Sequence, residues 1–266
     1  MRPYCIDPEG AKQLPGCTMS YNVTMRGYRA DLAHIHDVGF SDYALKAAPG
    51  LLRILSACGV KEGLVVDLGC GGGHWARELN RAGYRVLGVD QSPSMIRLAR
   101  WKAPQSKFRV ASFLTVDLPP CDGITSIGEC LNYRFDERGS RDALVRLFDR
   151  VYRALRPGGV FVFDVNGPTR FRKKTPQENW RIGRDWAVLV NTTVDREKET
   201  LCRRITTFRR VGKLYRRSQE VHHLQLYRPS DLLRALAQCG FHARTLKGYG
   251  GFRFPTGITG ILAEKP

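Results

Sequence analysis

Although 42% of the 266 residues are hydrophobic, no uncharged apolar run approaches the eighteen or so residues of a membrane span, so no membrane partner is expected. The sequence also lacks any Cys-x-x-Cys pair. Cys5, Cys17, Cys58, Cys70, Cys121, Cys130, Cys202 and Cys239 are scattered, with no Cys/His cluster at zinc spacing. That pattern speaks against a disulfide framework or a bound metal and reads as reduced thiols. No repeat of twenty to fifty residues and no low-complexity segment occurs, which excludes solenoids and propellers. The first thirty residues hold Pro3, Pro8, Gly10, Pro15 and Gly16 but no basic segment followed by an apolar run. No secretory leader is read there, and a soluble, cytoplasmic chain is the default expectation.

Acids are scarce. Against 43 Lys and Arg there are 25 Asp and Glu, a formal charge of +18. The excess is concentrated between Gly167 and Gln219, where fifteen Lys and Arg meet five acids. Such a surface attracts polyanions by counterion release. Here the charges alternate with apolar residues along strand-like stretches, which favours a solvated face over a dedicated polyanion site; charge alone does not decide.

What is present is a β/α alternation. Residues 1 to about 25 read as an irregular arm. Leu32, Ile35 and His36 then form one helical stripe, and Tyr43, Ala44, Ala47, Leu51, Leu52 and Leu55 form another after Ser41. From Leu64 onward short apolar strands (64–68, 85–89, 107–111, 123–127, 160–165) alternate with helices (74–82, 93–101, 141–155), the signature of a mainly parallel, doubly wound α/β sheet. Pro157-Gly158-Gly159 reads as the turn before the fifth strand. Three strand-like stretches at 185–194, 199–210 and 213–226 predict an antiparallel meander. A helix capped by Ser230 and two last strands, 241–247 and 258–264, complete the pattern. The expected organisation is a single domain of 266 residues. It has an arm and cap helices (1–60), a core (61–166 and 228–266) with a seven-stranded sheet, and an inserted meander (167–227).

The first strand runs into Asp67-Leu68-Gly69-Cys70-Gly71-Gly72-Gly73. Glycines at the carboxyl edge of a parallel sheet let the backbone turn sharply and let a ligand approach closely. A triphosphate loop needs Gly-Lys followed by Ser or Thr, whereas His74 and Trp75 follow here. The dinucleotide fingerprint needs its third glycine where His74 stands. Asp67, two residues before the first glycine, opposes a pyrophosphate but suits the ammonium of an amino acid. Asp90, at the tip of the second strand, is placed to accept both hydroxyls of a ribose.

Taken with Leu87-Gly88-Val89-Asp90 and Leu155-Arg156-Pro157-Gly158-Gly159, this run resembles the class I S-adenosylmethionine-dependent methyltransferases, strongly over 64–165. The resemblance implies a Rossmann-like fold and S-adenosylmethionine as cofactor. It implies contacts from Asp67 and Gly69, with Cys70 and Gly71 in the same loop, to the methionine end, and from Asp90 and Gln91 to the ribose. Ser112 and Phe113 match the adenine positions, Ser112 standing where many relatives carry aspartate.

Methyl transfer from a sulfonium is a direct displacement, so the protein must align a nucleophile and exclude water. The segment after strand four, Ile127-Gly128-Glu129-Cys130-Leu131-Asn132-Tyr133, has neither an Asn-Pro-Pro-aromatic motif for a flipped base nor a Pro-Cys nucleophile. Both absences favour a small-molecule acceptor over nucleic acid. Glu129 is a candidate to bond the cofactor or take a proton, and Tyr133 to shape the pocket; the structural alternative is that Glu129 caps the next helix and Tyr133 packs. Alternation puts His222 and His223 on opposite faces, so at most one points inward, and His223 is taken as the acid-base candidate. Tyr28, His36, Asp37 and Tyr43 resemble an aromatic lid, with Tyr43 expected to touch the acceptor. The sequence thus predicts an enzyme that methylates oxygen, nitrogen or carbon of a small molecule. Methylation of RNA or another polyanion, or cofactor binding without catalysis, are the alternatives.

Overall fold

The computed structural model describes residues 27–134, 141–171 and 177–266; the irregular arm read for residues 1 to about 25 lies outside them. Two cap helices, α1 (Ala30–Gly39) and α2 (Asp42–Ala57), precede the alternating core. The core runs β1 (Leu64–Leu68), α3 (His74–Arg81), β2 (Arg85–Asp90), α4 (Pro93–Lys102), β3 (Lys107–Val110), β4 (Cys121–Ser126), α5 (Arg141–Ala154) and β5 (Leu155–Asn166). The meander is β6 (Gln177–Ile182), β7 (Trp186–Asp195), β8 (Thr200–Val211) and β9 (Leu214–Gln225). Then come α6 (Pro229–Gln238), β10 (His242–Leu246), a hairpin of β11 (Gly248–Tyr249) and β12 (Phe252–Arg253), and β13 (Ile258–Glu264).

The main sheet has seven strands in the order β10-β13-β5-β4-β1-β2-β3, so the sequence-based fold is the observed one. Strands β5, β4, β1, β2 and β3 are mutually parallel, and β13 inserts antiparallel between β5 and β10. Apolar side chains on both faces explain why: Val66 and Leu68 face α5 and α6, while Val65 faces α2 and α3. Strand order reverses between β1 and β4, and the crevice at their carboxyl ends is where such sheets take ligands. Among the described residues no helix is long and apolar enough to cross a membrane.

Three differences from the sequence reading have physical causes. Strand β6 was not anticipated, because Gln177–Ile182 is exposed almost throughout and shows no buried alternation. Helix α6 starts at Pro229, with Arg228 rather than Ser230 at the cap, because proline at the first helical position needs no N–H partner. Pro157-Gly158-Gly159 lies inside β5 as an irregularity, where pairing shifts from Cys121↔Leu155 to Gly123↔Val160, not as a separate turn.

The meander forms its own four-stranded sheet, β6-β7-β8-β9. Its inner face packs Trp186, Val188 and Ile205 onto Leu32 and Ile35 of α1. Helix α1 is therefore held between the meander and α4, above the crevice.

Candidate functional site

The crevice is a pocket of about 540 Å³. Its floor is the glycine-rich loop, which Gly69 and Cys70 tie to β2 by N–H donation to the Val89 carbonyl at 2.7 and 3.1 Å. Two glycines are obligatory. Gly69 has φ +79°, and a Cβ there would lie 2.6 Å from the Cys130 sulfur; Gly73, also at +79°, leaves room for Ala99 of α4 against its Cα.

Asp67 and Asp90 both reach this floor. The Asp67 carboxylate is buried and accepts one hydrogen bond, from Thr125 Oγ1 at 2.9 Å, while Thr125 accepts from Trp75 Nε1 at 3.1 Å. Burial pushes its pKa up to about 7, the state of a buried acid that lacks a cation. Asp90 accepts from the backbone N–H of Gly71 at 2.9 Å and of Ser92 at 2.8 Å, and burial raises its pKa as well. Cys70, Gly71, Gln91, Phe113 and Met95 complete this half of the pocket. Ser112 does not join them: its hydroxyl accepts from the Leu114 N–H at 3.1 Å, as a turn residue, and only its neighbour Phe113 lines the pocket.

The opposite wall belongs to the cap, the segment after β4 and the meander. Tyr28, His36 and Tyr43 line it from the cap, and Glu129, Cys130 and Tyr133 from the β4 segment. The Tyr28 and Tyr133 hydroxyls are 2.8 Å apart, and the edge of the Tyr28 ring meets His36, centroids 5.1 Å apart. Burial holds His36 down to about 4, so its ring is neutral at pH 7. The Tyr43 hydroxyl is buried beside the Asp164 carboxylate, and burial first and that carboxylate second raise its pKa.

Glu129 lines the pocket, and an ion pair with Arg203 holds its carboxylate. It sits at φ +60° and caps no helix with its side chain. Its carboxylate receives both Arg203 Nη atoms, Nη2 at 3.0 Å, together with Asn166 Nδ2 and, at 3.3 Å, the Tyr133 hydroxyl. Burial pushes its pKa up, but the Arg203 guanidinium and these hydrogen bonds outweigh it, and the group stays below the ordinary carboxylate range. A carboxylate so held is a poor proton acceptor. His223 also departs from expectation: it is exposed on the outer face of β9, whereas His222 is the buried, inward residue, 2.9 Å from Glu220.

Several residues at the site carried no specific sequence signal. Arg203 lies 74 positions from Glu129 in a stretch crowded with arginines. Asp164, at the tip of β5, accepts from Gly128 and Glu129 N–H and from Tyr249 OH at 3.0 Å, so it shapes the β4 segment. A lone acid in Phe161-Val162-Phe163-Asp164-Val165 was its available signal. A third cluster joins cap to core: Asp37 of α1 meets His74 Nε2 at 2.8 Å and the Lys102 ammonium, next to the glycine-rich loop. Among the described residues no cluster of His, Cys, Asp or Glu is arranged to hold a metal.

The chain is similar to several known methyltransferases. A family profile described as Methyltransferase domain matches residues 65–159. A Bacillus subtilis protein named as a methyltransferase is 23% identical over 189 residues, covering 68% of this chain and 74% of its own length. Two further curated relatives are matched over only 31% and 42% of their lengths. An S-adenosylmethionine-dependent methyltransferase from Clostridium acetobutylicum superposes with TM-score 0.75 at 21% identity, over 88% of this chain and 97% of that one. An amino pentose methyltransferase from Micromonospora echinaspora, solved with the cofactor bound, gives 0.69 at 20% identity over 90% and 98%.

Proposed function

We propose that this chain is a class I S-adenosylmethionine-dependent methyltransferase that methylates an oxygen, nitrogen or carbon of a small-molecule acceptor by in-line displacement, a reading supported by the methyltransferase-domain match over residues 65–159 and by the shared fold. The observation that carries the acceptor class is the size of the pocket and the cap residues along one wall. A volume of about 540 Å³ is the scale of a site for small ligands, and α1 and the meander border the side facing the glycine-rich loop.

The residues fit the cofactor. Asp67 is a buried acid without a cation, Asp90 presents a carboxylate at the ribose position, and Met95 and Phe113 offer an apolar bed for adenine. In this reading Asp67, with Gly69, Cys70 and Gly71, holds the amino-acid end, and Asp90 with Gln91 holds the ribose. Bound there, S-adenosylmethionine supplies an electrophilic methyl group. Tyr28, Tyr43 and Tyr133 exclude water and orient the acceptor, and the Glu129–Arg203 pair fastens the meander to the β4 segment. The proposal places the reaction in a reducing compartment such as the cytoplasm, consistent with free thiols at Cys70 and Cys130.

Calorimetric titration with S-adenosylhomocysteine tests the site. Asp90→Ala is expected to abolish most of the affinity, and an unchanged affinity in that variant would sink the assignment. Asp67 adds a pH signature. Its ionised form attracts the ligand ammonium, so below about pH 7 binding must first remove a proton. Affinity is expected to fall by up to about tenfold per pH unit on acidification, and Asp67→Asn to flatten that slope.

A further inference from the structure

The outer face of the meander belongs to no packing interface among the described residues. Pairing across β6, β7, β8 and β9 sets Trp180, Leu189, Thr206 and Gln219 in one row and Ile182, Ala187, Phe208 and Arg217 in the next. Arg204 stands opposite Val221, and Arg210 opposite Tyr215. Trp180 is 72% exposed, Ile182 69% and Tyr215 56%, an apolar surface that a solvated sheet face does not normally carry.

The arginines differ from those beneath them. Arg203 and Arg209 on the inner face pair with Glu129 and Asp31, whereas Arg204, Arg210 and Arg217 make no ion pair among the described residues. The acids of this face lie at its margin: Glu178 accepts from Asn191, and Asp195 sits beside Lys198. We propose that this face docks a single-stranded nucleic acid, with bases stacked on Trp180, Phe208 and Tyr215 and phosphates held by Arg204, Arg210 and Arg217. Aromatic rings interleaved with guanidinium groups suit a stacked, charged strand. A second copy of the chain fits less well, because it would set these same arginines against one another. The inner face of the same sheet covers the methyl-transfer pocket, so the strand docks outside the pocket, and the inference does not depend on the acceptor.

The test is fluorescence anisotropy of a labelled oligouridine of about twelve nucleotides with the full chain. Neutralising about three phosphates predicts an affinity lower by about twentyfold at roughly 200 mM salt than at roughly 50 mM. Trp180→Ala is expected to weaken binding about fivefold or more, and the Arg204→Ala, Arg217→Ala double variant to reduce the salt slope by about 1.4. Both should keep the wild-type melting temperature and S-adenosylhomocysteine affinity, since all three side chains are outside core and pocket. No binding at low salt, or binding equal in wild type and variants, overturns the proposal. So does self-association that Trp180→Ala dissolves without any oligouridine bound, which assigns the face to a second copy.

Discussion

The two faces of the meander share a backbone and nearly a composition, yet they do opposite things with their charges. On β8 the inward Arg203 meets Glu129 and the inward Arg209 meets Asp31, while the adjacent Arg204 and Arg210 point to solvent without an acid. On β9 the inward His222 is buried against Glu220, and the outward His223 is exposed. A charge taken from water must be paired, whereas an exposed one is solvated and free for a partner. The arginine-rich sequence of this insertion thus forms two surfaces, one paired with acids of the cap and the β4 segment and one solvated.

The contrast breaks most sharply at neighbouring residues. Arg203→Ala leaves the Glu129 carboxylate buried without its cation and is expected to cost about 3 kcal/mol or more in denaturant unfolding. Arg204→Ala, one residue away, should stay within about 0.5 kcal/mol. Equal losses in the two would erase the distinction between the faces.

A middle-sized effect is expected at Asp31, which accepts from Arg216 Nε at 2.7 Å and Nη2 at 2.6 Å. Hydrogen bonding from Arg216 is the main reason its pKa is depressed, with burial opposing. A depressed carboxylate pKa contributes stability that is present above the unfolded value near 3.9 and is lost as pH falls through the folded value. Asp31→Asn should therefore lower the melting temperature at neutral pH, by the equivalent of about 1 kcal/mol, and narrow the gap to wild type in acid. A gap constant from neutral pH to about pH 2 would rule out this pairing as its source. The smallest effect is expected at His223: His223→Ala should leave stability within about 0.5 kcal/mol, whereas His222→Ala, in the buried layer, should exceed that in the same melts.

Much of the glycine-rich half of the pocket was legible because it is local. Asp67 and the glycines occupy one strand-turn-helix unit, and Asp90 ends the next strand, so chain order alone puts both acids at one sheet edge. The opposite wall was less legible. On the glycine-rich side Ser112 was chosen by position, but its hydroxyl turns to its own backbone, an option open to any serine in a turn. Glu129 was recognised as important, while its partner lies on a different sheet. Strand β6, exposed along most of its length, left no pattern to read.

By itself the sequence determined the doubly wound core, the glycine-rich turn at its carboxyl edge and the presence of a meander, since strand and helix periods and glycine turns act over a few residues. Period two also requires that His222 and His223 oppose each other, and Arg203 and Arg204 likewise. Which member of each pair faces inward was decided only by tertiary structure. That choice depends on what lies on each side of the sheet: α1 and the β4 segment, with Asp31 and Glu129, cover one face, and among the described residues nothing packs on the other.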